Sequence, residues 1–186
     1  MIRPSLVTLA AAALAAATVA GWPAPRAEAA LTQGARAPQF TAPGAQGGER
    51  LTVDLEQALR RGPVVLYFFP RAFTAGCTIE SRAFAEAMPD FARAGATVIG
   101  MSGDDVDTLA RFSTEECRAA FLLASASEAI IAAYAVSLRP GITTRTSYVI
   151  GQDGTIVHVH DAMNPNDHVR ETLAAVRRLQ AQRRAR

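Results

Sequence analysis

The run Val64-Val65-Leu66-Tyr67-Phe68-Phe69 fixes the middle of whatever this chain folds into. It is short, continuous, β-branched at its start and aromatic at its end, which predicts a buried strand. Pro70 stops it, because the ring removes the N–H that a further ladder bond would need. Beyond Pro70 the period changes. Ile79, Ala83, Phe84, Ala87, Met88 and Phe91 recur at threes and fours, the spacing of a helix. Cys77 therefore falls in the first turn of a helix that leaves the end of a buried strand. Unpaired backbone N–H groups and the positive end of the helix dipole favour a thiolate there. Thr74, three residues earlier, brings a hydroxyl within reach of the sulfur or of an oxygen bound beside it. Pro70 rigidifies the turn and is placed to shield the sulfur from water. The plain alternative is a small buried hydrophobe, the common fate of a free cysteine. Thr, Pro and Gly around a strand-to-helix turn weigh against it.

The remaining elements follow in order. Ala37–Pro43 reads as an irregular or short strand entry, and Gly47-Gly48 as a hairpin turn before Arg50–Val53. Leu55–Arg61 is a short helix ended by Gly62-Pro63. The Cys77 helix runs to about Ala94 and is stopped by Gly95, with Met88-Pro89 expected to kink or split it. Ala96–Ser102 is a second buried strand, and Asp104 or Asp105 caps a helix through Phe112 or beyond. Cys117 lies near the end of that helical stretch. Phe121–Ala124 is a short strand, Ser127 caps a helix through Tyr134, and Val136–Thr144 reads as a loop. Thr146–Ile150 and Thr155–His160 are strands joined by Gly151-Gln152-Asp153-Gly154, a strong hairpin signal. A last helix starts near Asn166 or Asp167 and ends in a basic tail that suits its C-terminal dipole. Strands alternating with helices, closed by a hairpin and a helix, predict an α/β protein with a mixed central sheet and helices on both faces. No internal repeat or second domain is evident.

The start of the chain reads as a secretory signal. Arg3 supplies charge, Leu6–Gly21 is apolar and Ala-rich, and Ala27-Glu28-Ala29 before Ala30 is an Ala-x-Ala cleavage site. The apolar run is about 16 residues, short of the roughly 20 a membrane span needs. Residues 1–29 are therefore expected to be removed and residues 30–186 to form one domain, exported to the periplasm if the source is Gram-negative. An uncleaved anchor is the alternative, and no membrane association is expected after cleavage. The whole chain has a net charge of +2, which gives no sign of nucleic-acid binding. All 19 basic residues are Arg, a bias of composition. The only Trp, Trp22, lies in the leader. The two cysteines, Cys77 and Cys117, form no Cys-x-x-Cys pair, which argues against a thioredoxin-like dithiol exchanger. His158 and His160 alternate with Val157 and Val159. With His168 at no fixed spacing they make a weak metal signal, and an exposed polar face opposite a valine core is the better reading.

The pattern Pro70-x-x-x-Thr74-x-x-Cys77 resembles the active-site signature of the peroxiredoxins. Tyr67-Phe68-Phe69-Pro70 before it and Gly76-Cys77-Thr78 across it are similar to the bacterioferritin-comigratory, or Q-type, branch. The resemblance runs from about Gly34 to the last helix. It implies a thioredoxin-like fold and a thiol peroxidase for hydrogen peroxide and small organic hydroperoxides, with no metal, haem or flavin. It implies that Cys77 attacks the O–O bond and becomes a sulfenic acid. Arg145 opens Arg-x-Ser-x-Val-Ile, which resembles the family segment whose Arg joins the active site; otherwise it is a surface Arg at a strand start. Thr74 would hydrogen-bond the thiolate or substrate. Glu80, one turn after Cys77, would hold Arg145 or Arg71, or simply sit on the helix surface. Cys117 is the candidate resolving cysteine, forming an intramolecular disulfide that an external thiol donor recycles. The position five residues after Cys77, where some Q-type members carry that cysteine, is Arg82 here. Other members place it in the following helix, which Cys117 broadly fits. An inert thiol or a static Cys77–Cys117 disulfide are the alternatives. The competing function is a non-catalytic redox sensor or binding module. A monomer is expected, with a dimer as the other possibility.

Overall fold

A computed structural model describes residues 30–185. The leader expected over residues 1–29, with its cleavage site and Trp22, lies outside the described residues. The chain forms β1 (Thr41–Gln46), β2 (Glu49–Asp54), α1 (Leu55–Arg61), β3 (Val64–Phe68), α2 (Ala75–Arg93), β4 (Thr97–Ser102), α3 (Val106–Glu115) and β5 (Leu122–Ser125). There follow α4 (Glu128–Ala133), β6 (Ser137–Arg139), β7 (Ile142–Thr143), β8 (Thr146–Ile150), β9 (Ile156–Asp161) and α5 (His168–Arg184). Among the described residues no helix is long and apolar enough to cross a membrane.

One seven-stranded sheet runs in the order β2-β1-β5-β4-β3-β8-β9. β3 lies inside it, parallel to β4 and antiparallel to β8, so the sheet is mixed. Every residue of β3 is buried, because alternate side chains enter two separate cores. Val64, Leu66 and Phe68 pack with Leu55 and Leu59 of α1, Ile131 of α4 and Tyr134 just beyond it. Val65 and Tyr67 pack on the other face with Phe84 and Phe91 of α2, Phe112 of α3 and Val176 of α5. Strand periodicity thus explains why an unbroken apolar run is required here.

The differences from expectation have local causes. α2 passes through Pro89 unbroken. Pro89 is exposed, so the carbonyl it leaves without a helical donor lies on the solvent side. The stretch expected as a loop over Val136–Thr144 contains the β6–β7 hairpin, turning at Pro140-Gly141 with Gly141 at φ +70. The first strand begins at Thr41, pairs with β2 and β5, and turns through Gly47 and Gly48, both at positive φ. His158 and His160 do not form an exposed face. Both are half-buried, each with a buried Nε2 that finds no partner.

Candidate active site

The site is assembled where β3 ends and α2 begins. Phe69 N–H makes the last bond of the β3–β4 edge, to Met101 O at 3.0 Å, and Pro70, half-buried, ends the ladder. The connecting turn is anchored from three sides. Asp104, just past β4, accepts from Ala72 N–H at 2.7 Å and from Ser102 Oγ at 2.8 Å. Its own carbonyl accepts from Ser125 Oγ at 2.7 Å. Thr143 Oγ1 of β7 donates to Phe69 O at 2.8 Å. These contacts hold Phe73 at φ 62, a left-handed conformation that a non-glycine side chain occupies only under constraint. Its ring stands edge-on to Phe112 at 5.1 Å, with the Arg111 guanidinium 5.2 Å from its centroid.

Thr74 occupies the N-cap of α2, and its carbonyl accepts the first helical bond, from Thr78 N–H at 2.9 Å. Its hydroxyl donates to Arg71 O at 3.0 Å. It does not donate to the sulfur, and its oxygen keeps free acceptor capacity. Cys77 is the third residue of α2 and is buried. The first N–H groups of a helix have no partner inside it, so the sulfur sits in a turn of unpaired donors.

Arg145 comes from just before β8 and is almost fully buried. Each of its three nitrogens is engaged. Nε donates to Met163 O at 3.0 Å, Nη1 pairs with Glu80 Oε2, and Nη2 donates to the Cys77 sulfur at 3.4 Å. Burial opposes the guanidinium charge, but Glu80 and Cys77 beside it outweigh burial and raise its pKa. Gly76 permits this approach, because a Cβ there would lie 3.1 Å from Nη2. Glu80 belongs to the site and not to the helix surface: it is wholly buried, and burial pushes its carboxyl up to about 8, with Arg145 only partly offsetting. Its partner is Arg145, not Arg71.

Cys117 lies two residues beyond α3, buried in the same core as Cys77. Both cysteines are free thiols. Burial pushes the Cys117 thiol up to about 12, with Ser81 beside it offsetting slightly. Ser81 also shares a hydrogen bond of 3.1 Å with Tyr67 Oη. The Cys117 segment is tied down from outside by Arg82–Glu116 at 2.6 Å, Arg118–Glu86 at 3.5 Å and Gln46 Nε2 to Ala119 O at 3.0 Å. Arg118 and Ala119 both have positive φ.

Two participants escaped the sequence reading. Asp104 figured only as an alternative helix cap, and Asp105 fills that role, accepting from Asp107 and Thr108 N–H. A carboxylate at the end of a buried strand was the available signal for its hold on the turn. His168 figured only as a distant metal candidate. It is wholly buried at the start of α5, bonded to Ser147 Oγ and Ala162 O, each at 2.8 Å. Among the described residues no group of three or more His, Cys, Asp or Glu side chains is placed to hold a metal ion.

Known proteins share this framework. The family model described as "AhpC/TSA family" matches residues 33–159. Peroxiredoxin Bcp of Escherichia coli (strain K12) is 30% identical over 145 residues, covering 74% of this chain and 90% of that one. The chloroplastic peroxiredoxin Q of Triticum aestivum is 32% identical over 168 residues, covering 84% and 76%. The crystal structure of peroxidoxin BcpB from Mycobacterium tuberculosis superposes with a TM-score of 0.72 at 29% identity, covering 79% of this chain and 97% of that one. A buried cysteine at a helix start, faced by one guanidinium, thus stands on a thioredoxin-like scaffold shared with these enzymes. The chain belongs to the AhpC/TSA family, among peroxiredoxins of the Bcp and Q type, and is a thiol-dependent peroxidase.

Proposed function

We propose that Cys77 is the peroxidatic residue and that the protein reduces hydrogen peroxide and small organic hydroperoxides. The observation that carries this reading is the Arg145 guanidinium, 3.4 Å from the Cys77 sulfur at the first turn of α2. The thiolate attacks the terminal peroxide oxygen. The O–O bond breaks, the sulfur becomes a sulfenic acid, and the leaving oxygen takes a proton to depart as water or an alcohol. Arg145 and the first N–H groups of α2 supply fixed positive charge where the leaving oxygen becomes negative. Thr74 contributes its acceptor oxygen to the incoming peroxide. Pro70 limits water at the sulfur.

Cys117 resolves the sulfenic acid, forming a Cys77–Cys117 disulfide and releasing water, and an external dithiol reduces that disulfide by exchange. A wholly buried thiol with a raised pKa is a poor nucleophile, so the resolving step requires the segment after α3 to open. The signal-like sequence of residues 1–29 supports export, with this chemistry outside the cytoplasm, to be checked by fractionation and N-terminal sequencing of the mature protein.

Intact mass after one equivalent of hydrogen peroxide tests the cycle. Loss of two hydrogens within one chain, abolished by Cys77→Ser and by Cys117→Ser, is expected. Oxygen added at Cys77 with Cys117 untouched would leave Cys77 peroxidatic and remove Cys117 from the cycle. Turnover retained in Cys77→Ser would overturn the assignment of Cys77.

A further inference from the structure

With Cys77 as the attacking thiolate, the reading on which this inference rests, the buried site sets one cation against two acids. Arg145 faces both the Cys77 sulfur and Glu80 Oε2. Two buried anions sharing one guanidinium leave an uncompensated charge, a costly arrangement in a site this deeply buried. Glu80 is wholly buried, and its second oxygen, Oε1, has no hydrogen-bond partner. It looks at Nδ1 of His168, 3.6 Å away and also wholly buried. The tautomer of that ring is fixed by its other side. Ala162 O can only accept, so the proton of a neutral ring is on Nε2 and Nδ1 presents its lone pair, into which Ser147 Oγ donates. Burial pushes His168 down to about 4, which keeps the ring neutral. Ser147 fills that lone pair and 3.6 Å is too long for a hydrogen bond, so the preference is electrostatic: a carboxylate oxygen facing the electron-rich nitrogen of a neutral ring is repelled, and a neutral carboxylic acid is not.

We propose that Glu80 holds a proton while Cys77 is a thiolate, with that proton on Oε1 facing His168 Nδ1, so that the charge of Arg145 is left to the sulfur. Where Glu80 is ionised beside a Cys77 thiol, ionisation of Cys77 moves a proton within the site: the S–H loses it, the Glu80 carboxylate gains it, and the group of Cys77, Glu80 and Arg145 stays neutral. After attack the sulfenic acid is neutral and no longer competes for Arg145. Glu80 is then freer to ionise against Arg145, and a proton it gives up balances the one taken by the leaving oxygen. Glu80 and His168 are positioning residues, since neither touches the sulfur. The other titratable groups around the pair are Tyr67 on β3, which burial keeps protonated, and His160 and Asp161 on β9, the former edge-on to His168 with ring centroids 4.5 Å apart.

The test is isotope-edited infrared spectroscopy of the reduced full-length domain in a Cys117→Ser background at neutral pH, alongside thiolate absorbance. A carboxylic-acid C=O stretch is expected that disappears in Glu80→Gln, which assigns it. Followed against pH, the same band is expected to be lost at lower pH in Cys77→Ser, where no thiolate competes for Arg145, and after one equivalent of hydrogen peroxide. His168→Gln is expected to shift its frequency. Thiolate absorbance without the acid band, or a band whose pH dependence is unchanged in Cys77→Ser, would overturn the proposal. A frequency unmoved by His168→Gln would remove His168 from it. The two near-isosteric changes carry the test if His168→Gln fails to fold. Peroxide turnover in Cys77→Ser would instead overturn the peroxidatic role of Cys77. A reactive Cys77 with no acid band would overturn only the placement of the proton.

Discussion

Gly76 sets how near Arg145 stands to the sulfur. A methyl group there would lie 3.1 Å from Nη2, tighter than an ordinary contact, so Gly76→Ala displaces the guanidinium by a few tenths of an ångström. Alanine suits a helix better than glycine. We therefore expect folding stability to be kept while kcat/KM for hydrogen peroxide falls about 10-fold, since small misplacements of a charge-stabilising group are expensive. A wild-type rate in steady-state assays would show that the guanidinium has slack. Glu80 and His168 also shape stability against pH. Glu80 has a raised folded pKa, so its contribution is full below its unfolded value of 4.5 and is lost as pH rises towards about 8. His168 has a lowered one, so its contribution is full above 6.5 and is lost as pH falls towards about 4. The two slopes oppose each other between 4.5 and 6.5, leaving Glu80 alone to lower stability between 6.5 and 8. Thermal melts across that window should fall for the wild type and flatten for Glu80→Gln. Each ~1 kcal/mol lost corresponds to roughly 2–4 °C in a domain of this size. At this scale Cys77 and Arg145 were legible in the sequence because short patterns mark them. Glu80 was only half legible, since a helix position one turn from Cys77 reads equally as surface. Asp104 offered only a carboxylate at the end of a buried strand and His168 no signal of its role, because those roles arise from contacts with Ala72, Ser147 and Ala162 that no local spacing encodes.

At the scale of elements, the end of α3 behaves as a latch over Cys117. Arg82 and Glu86 of α2 reach across to Glu116 and Arg118, which flank the cysteine. Both bridges are partly or largely exposed, and such pairs contribute ~0.2–1 kcal/mol each. On the proposed cycle, Arg82→Ala should speed disulfide formation by roughly two- to fivefold, with the rate of Cys77 oxidation itself unchanged. Quenched-flow mass analysis separates the two steps. An unaltered resolution rate would place the barrier elsewhere in the segment. High salt should act in the same direction as the substitution. Most elements were readable from hydrophobic period and caps. α1 was bounded on both sides by local chemistry, Asp54 accepting from Gln57 N–H and Gly62-Pro63 closing the end. The β6–β7 hairpin was missed although Pro140-Gly141 announced its turn, because strands this short carry too little alternation to register. Pro89 was over-read for the opposite reason, a strong local signal absorbed on an exposed helix face.

Across the whole molecule, the sheet divides the interior into two cores that share β3. Leu66 belongs to the face covered by α1 and α4, away from the site. Leu66→Ala should cost about 2–5 kcal/mol in urea unfolding and leave peroxide turnover unchanged well below the melting temperature. A matching loss of turnover would mean that the two faces are mechanically coupled. The fold class followed from strand-and-helix alternation, but the strand order did not. The pairing of β1 with β5, and of β3 with β8, joins segments far apart in the chain, and nothing local distinguishes those partners from others. Both thiols lie on one side of the sheet, in the core beneath α2, α3 and α5. Any rearrangement that joins them therefore loosens that side alone. The opposite layer, with no cysteine in it, stays intact as a mould against which the loosened helices re-form when the disulfide is reduced. On the proposed cycle the enzyme partly unfolds on every turnover without risking its identity, and hydrogen exchange on its oxidised form should be fast on one face of the sheet and slow on the other.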